Sequence, residues 1–425
     1  MLKFITRLKR ILAALLCMAL MAAVGAGMTA CDVPGVRADD LMEGIKAQAA
    51  EGKAIDKRFV DNTADFTIEL FKRTIDTREN SLVSPLSVMI ALSMTANGAD
   101  KDTLKQMERV LGKDIPLDEL NRYLCTYMKG LPSEKRTKLD MANSIWFRDD
   151  GERLVVEKDF LQTNADYYNA AVYKAPFDNT TLRDINNWVK AHTDGMIDEI
   201  LKEIKADHIM YLLNAIVFDA EWKTVYNKSH IFDGEFTGID GTKQTAEFMN
   251  SEEHLYLDDG KATGFIKPYY DDNYSFVALL PNEGITVDEY IKGLTGQGFL
   301  RTIKNAQTVL VNAYLPKFSY EFEIKINDAL KGLGMTEAFD AGKADFSRLG
   351  HSSRGNIYCE EVFHKTFIAV DELGTRAGAV TKVVMNDESA EPEMKYVRLD
   401  RPFAYAIIDN ATDLPVFIGT VLSLE

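Results

Sequence analysis

The chain has 425 residues, 46% of them hydrophobic, with 49 basic against 65 acidic side chains and a net charge of −16. That length allows two or three average domains or one large one with a sizeable core. The charge argues against nucleic acid and anionic lipid headgroups as partners, because a negative body repels polyanions. There is no CxxC or HExxH pattern, and no ligand cluster surrounds His364 and Cys359, so neither metal nor cofactor is expected.

Residues 1–30 read as an export signal. Lys3, Arg7, Lys9 and Arg10 precede the apolar run Ile11–Val24. Met28-Thr29-Ala30-Cys31 then resembles a bacterial lipobox and makes Cys31 the lipidation candidate, although Met28 and Thr29 depart from its usual Leu and Ala or Ser. Plain secretion and an uncleaved anchor are the alternatives. Cleavage before Cys31 would remove four cations and no acid, leaving 45 basic against 65 acidic residues, net −20. The expected product is exported, as an envelope lipoprotein or an extracellular protein, and would meet a membrane only through its lipid. Cys17 lies in the signal. Cys125 and Cys359, far apart, are expected to be unpaired and buried.

Asp32–Lys57 is polar and alanine-rich and reads as part of a tether (31–57) with some helix; the folded domain is assigned to 58–425. Phe59, Ala64, Phe66, Leu70 and Phe71 recur at helical spacing. Leu82-Val83 is a short strand, Ser84 a natural N-cap and Pro85 a first-turn proline, opening an apolar helix that continues past Ser87. Ala142–Phe147 reads as a buried strand, and Gly195 as the cap of a helix carrying Trp188. Met210–Phe218 fits a central strand buried on both faces, interrupted by Asn214, which needs polar partners. Trp222 comes shortly after. Ser275–Pro281, Val309–Phe318 and Leu414–Val421 are further strands, with a helix near Leu330–Met335.

The stretch Glu372–Ser389 is unusual. By parity, Thr375, Ala377, Ala379, Thr381, Val383 and Met385 fall on one side, all small or apolar, while Arg376 and Lys382 fall on the other with Gly378. As a strand it would bury one face and show both cations to water. Its small residues and its acidic end, Asp387, Glu388, Glu391, Pro392 and Glu393, are loop composition instead. It reads as a loop able to become a strand; an ordinary edge strand with an acidic turn is the plainer alternative.

Its neighbours resolve the matter. Glu360–Glu372 leads into Glu372-x-Gly374-Thr375-x-Ala377, and Val397–Phe403 comes after it with Asp-Arg-Pro-Phe. This resembles the serpin family from about Phe59 to Glu425, with motifs in family order. The resemblance implies an α+β fold of about nine helices around three β-sheets, with a mobile reactive-centre loop at about 372–396. It implies a monomer whose partners are serine or cysteine proteases, and irreversible inhibition by insertion of the cleaved loop into the main sheet. It assigns Glu372, Gly374, Thr375, Ala377, Gly378, Ala379 and Thr381 to the hinge. It assigns Ser84, Ser87, Asn214, His364 and Trp222 to the sheet-opening region, with Asn214 bonded to His364. Counting from Gly374 places the cleaved bond at Glu388-Ser389; counting back from Pro402 places it near Glu391, and Met385 is a further option. Three departures stand out: Ala404 after Asp-Arg-Pro-Phe, Leu373 in the hinge, and a loop some three residues longer than usual. A non-inhibitory serpin acting as a binding or carrier protein is the alternative, but such members tend to carry bulky or charged residues on the inserting face. A hydrolase lacks support, since no GxSxG elbow is present.

Overall fold

The computed structural model describes residues 36–132, 136–149, 151, 154–205, 208–353, 355–375 and 394–424. Among these, nine α-helices surround three sheets. The helices are α1 (Lys57–Thr74), α2 (Pro85–Ala96), α3 (Lys101–Leu111), α4 (Leu117–Lys129), α5 (Lys158–Tyr168), α6 (Asn179–His192), α7 (Val287–Gly293), α8 (Gly296–Lys304) and α9 (Asn327–Leu333). Helix α1 starts where the Asp56 carboxylate accepts the Phe59 amide at 3.0 Å, and turns Phe59, Phe66, Leu70 and Phe71 inward. Helix α2 is buried all round, as its apolar residues on every face require, with only the small hydroxyls of Ser87, Ser93 and Thr95 among them. Ser84 holds its N-cap position but makes no side-chain cap. Its amide N–H donates to the buried imidazole of His364 instead, so the residue links helix to sheet, where the sequence pointed to a cap.

The main sheet is built from β1 (Asp39–Asp40), β2 (Thr137–Arg148), β3 (Ala171–Ala175), β4 (Met210–Glu221), β5 (Phe318–Lys325), β6 (Glu361–Val370) and β7 (Gly374–Thr375). Its spatial order is β1-β3-β2-β4-β7-β6-β5. Strand β4 is buried along nearly all its length, as expected of a central strand with both faces covered. A second sheet runs in the order Met394–Arg398, Gln307–Pro316, Lys243–Asp258, Ala262–Pro268, Tyr274–Pro281, Phe403–Asp409, Leu414–Val421, Ser81–Val83. The run expected as one strand at Val309–Phe318 thus ends at Pro316, and Phe318 begins β5 in the other sheet, with Lys317 at the corner. Helix α6 packs on the main sheet, its Trp188 indole donating to the Tyr173 hydroxyl at 3.0 Å.

Residues 37–55, part of the 31–57 stretch read from the sequence as a partly helical tether, form a short strand, a turn at 41–44 and irregular chain packed along the body. The Arg37 amide donates to Asp184, β1 pairs with β3, the Gln48 amide reaches Asp166 and Lys53 joins Glu119. Leu41, Met42, Ile45 and Ile55 add apolar contacts with the core, but they are too irregularly spaced to announce the docking as a helix or strand period. Cys125 and Cys359 are both free and buried, and burial pushes the Cys359 thiol up to about 12.

Candidate functional site: the mouth of the main sheet

Strands β4 and β6 pair in parallel from Tyr211–Glu361 to Ile216–Thr366. Above that point β7 stands between them, Thr375 pairing with Val370 on one side and with Ala220 on the other. Chain direction reverses between β6 and β7 in a tight turn, Asp371-Glu372-Leu373-Gly374. The Asp371 amide donates to the Gly374 carbonyl at 3.0 Å, and the Asp371 carboxylate accepts the Leu373 and Gly374 amides at 2.8 and 3.2 Å. Glycine at 374 is demanded by close approach: a Cβ there would meet the Ala220 carbonyl oxygen at 2.0 Å.

The carbonyls of the three residues before Gly374 are held by one neighbouring segment. The Trp222 indole N–H donates to Asp371 O, the Trp222 amide to Leu373 O and the Tyr226 amide to Glu372 O, at 2.8, 2.8 and 3.0 Å. Lys317, at the strand corner, pairs with the Glu372 carboxylate at 2.7 Å and holds it below the usual carboxylate range. Thr375 is 1% exposed, with its hydroxyl 2.6 Å from that of Tyr269. Tyr269 in turn stacks on Trp222, ring centroids 4.6 Å apart.

Deeper between the strands is a buried polar cluster in which the His364 ring and the Asn214 side chain are both hydrogen-bonded, while the Ser84 hydroxyl is left without a partner among the described residues. His364 is fully buried; its Nδ1 lies 2.6 Å from Asn214 Oδ1 and its Nε2 accepts the Ser84 amide at 3.0 Å. These partners fix the tautomer with the proton on Nδ1, and burial pushes the imidazole down to about 3. The Asn214 amide group donates to Ser87 on α2 and to Asn143 on β2. The neighbouring Thr366 hydroxyl donates to the Leu82 carbonyl at 2.9 Å. One network therefore ties β2, β4 and β6 to the buried helix at the level where β4 and β6 pair directly.

The structure thus gathers Ser84, Ser87, Asn214 and His364 into one cluster, and Trp222, Glu372, Gly374 and Thr375 into another above it. Ala377, Gly378, Ala379, Thr381, Met385, Glu388, Ser389, Glu391 and Cys31 lie outside the described residues. Asn143, Thr366, Asp371, Tyr269 and Lys317 belong to these clusters and were not singled out from the sequence. Tyr269, after Pro268 and before Tyr270, has no periodic signal, and only the pairing of three separate strands brings it beneath Thr375.

Among the described residues this arrangement holds no nucleophile–base pair. Its upper end holds the short strand β7, seated between β4 and β6. A family model described as "Serpin (serine protease inhibitor)" matches residues 61–424, and the chain belongs to the serpin family. Members of this family generally inhibit proteases. The chain is 29% identical to the neuroserpin of Gallus gallus, over 88% of its own length and 94% of the relative's. It is 30% identical to Serpin-ZX of Arabidopsis thaliana, covering 82% and 93% of the two chains. Among solved structures it resembles the thermophilic serpin tengpin. The native state of that protein gives a TM-score of 0.88 at 58% identity, over 92% of this chain and 100% of that one. The latent state of tengpin gives 0.79 at 59% identity, over 88% and 100%.

Proposed function

We propose that this chain is a suicide inhibitor of serine endopeptidases that traps the acyl-enzyme by drawing its cleaved loop into the main sheet. The observation that carries the reading is the short strand β7, already inserted at the mouth with Thr375 buried. In the proposed reaction the protease serine oxygen attacks the Glu388 carbonyl. The bond to Ser389 breaks, the Ser389 nitrogen takes up a proton as a new amino terminus, and Glu388 stays esterified to the protease. The freed arm then lengthens β7 downward between β4 and β6.

The register supports this. Continued residue by residue from Thr375, it sets Ala379 opposite Ile216 and Thr366, Thr381 between Asn214 and His364, and Met385 opposite Met210, where β4 begins. Every residue of the small, apolar parity would then share the interior face with Thr375, and Arg376 and Lys382 would face outward. A charge on the interior face would cost several kcal/mol unless paired.

The test is Thr375→Arg. It should leave the loop cleavable, abolish the SDS-stable complex with protease and convert inhibitor to substrate. Complex formation at the wild-type level by this variant would refute the insertion reading.

A further inference from the structure

The segment Trp222–Tyr226, which holds the turn, is itself held from beneath by a buried cation. Lys267 lies in the strand Ala262–Pro268 on the same face as the fully buried Phe265, and its side chain is only 2% exposed. Its ammonium sits 2.7 Å from the Glu253 carboxylate, whose side chain is 7% exposed and which also accepts the Ser251 hydroxyl at 2.7 Å. The same ammonium lies 3.3 Å from the Thr224 carbonyl, 4.4 Å from the Tyr226 ring centroid and 5.3 Å from that of Trp222. Among the described residues, the ion-pair, hydrogen-bond and aromatic contacts of this cation go either to Glu253 or to the segment that suspends the turn. A methionine could fill the same volume without desolvating a charge, and a buried pair is seldom a net source of stability over apolar residues of like size. What the pair adds is direction: one fixed charge draws a carbonyl and two aromatic faces onto one point.

We propose that Lys267 and Glu253 are positioning residues for loop insertion, fixing the 222–226 segment so that the turn at Asp371–Gly374 stays in register while the arm advances. This rests on the inhibitor reading, and the experiment separates the two. When insertion slows relative to deacylation, more inhibitor is cleaved without trapping, so the stoichiometry of inhibition rises.

The proteins compared are the full chain, Lys267→Met/Glu253→Gln, Lys267→Arg, and Leu124→Ala as a core variant in α4 remote from the turn. The charge-free pair should raise the stoichiometry of inhibition roughly threefold or more with the rate of loop cleavage unchanged. Lys267→Arg should stay near wild type, and Leu124→Ala should lower the melting temperature without changing the stoichiometry. Hydrogen exchange at the Trp222 and Tyr226 amides should speed up in the charge-free pair alone. An unchanged stoichiometry in the charge-free pair, or an equal rise in Leu124→Ala, overturns the proposal. If the wild type traps no protease, the inhibitor reading fails, and the amide exchange decides by itself: faster exchange upholds the positioning role and unchanged exchange ends it.

Discussion

His364 couples acidity to the closed sheet. In the folded chain its imidazole titrates near 3 because it is fully buried, whereas unfolded histidine titrates near ~6.5. The neutral form is the one that fits: Nε2 must accept the Ser84 amide, and a proton there would set two donors face to face. The folded pKa lies below the unfolded one, so the stabilisation is fully present above about pH 6.5 and is lost as pH falls toward 3, at about 1.4 kcal/mol per pH unit. Melting measured at pH 7.5 and 5.0 should show a larger acid loss in wild type than in His364→Gln. Equal losses in the two proteins would exclude His364 as the titrating group. The cluster around it was legible in part. Asn214 as a polar interruption in an apolar strand, and the likeness of the flanking motifs to the family, pointed to the Asn214–His364 pair. The same likeness placed Ser84 and Ser87 beside the pair, though not which of their atoms bond to it, and Asn143, which accepts from the Asn214 amide, depends on strand register, which periodicity does not encode.

The proposed inserting arm and the stretch of sheet that would receive it match in length. From Arg376 to Met385 is ten residues, or about 33 Å of strand at ~3.3 Å each, and in the proposed inserted register Met385 would fall opposite the first residue of β4. Three residues, Asn386–Glu388, would then carry an esterified protease past the lower edge. A cut after Lys382 would stop the arm three ladder positions short and let the protease deacylate. The fragment released from stable complexes should accordingly begin at Ser389 by mass spectrometry. A fragment beginning at Val383 would overturn both the register and the glutamate-directed target class. Parity in the loop was readable because strand alternation is local. The docking of residues 37–55 was not, since it depends on Asp184, Asp166 and Glu119, which lie far along the chain. The buried Lys267–Glu253 pair was hidden for a related reason: in isolation each charge reads as a solvent-facing strand position.

Taken as one body, the protein is proposed to hold a structure short of its most stable one. Ten further residues in the main sheet, at a net ~1 kcal/mol for each added ladder position, would contribute on the order of 10 kcal/mol. With an unfolding entropy of about 2 cal/mol/K per residue over roughly 390 residues, that corresponds to a rise in melting temperature of about 12 °C. Cleavage of the loop in wild type should produce a shift of this size, read by calorimetry before and after limited proteolysis. An unchanged melt would favour a binding or carrier role. Thr375→Arg, cleaved in the same way, should show little of the rise.

The turn at Asp371–Gly374 bears on how fast such a change can start. Joining two strands ordinarily begins with an entropic penalty for closing the loop between them, and the first contacts are the improbable ones. Here the reversal of chain direction is complete, and Thr375 is seated on both neighbours. Insertion from that point is propagation along a template, and hairpin growth takes roughly microseconds. The barrier is thereby moved from the loop to the sheet. Six paired positions between β4 and β6, together with the Asn214–His364 bond, must give way ahead of the advancing arm. If the chain captures proteases as proposed, the same bonds would both hold back premature insertion in the uncut protein and set the speed of capture after the cut, so strengthening them should lengthen shelf life and slow capture together.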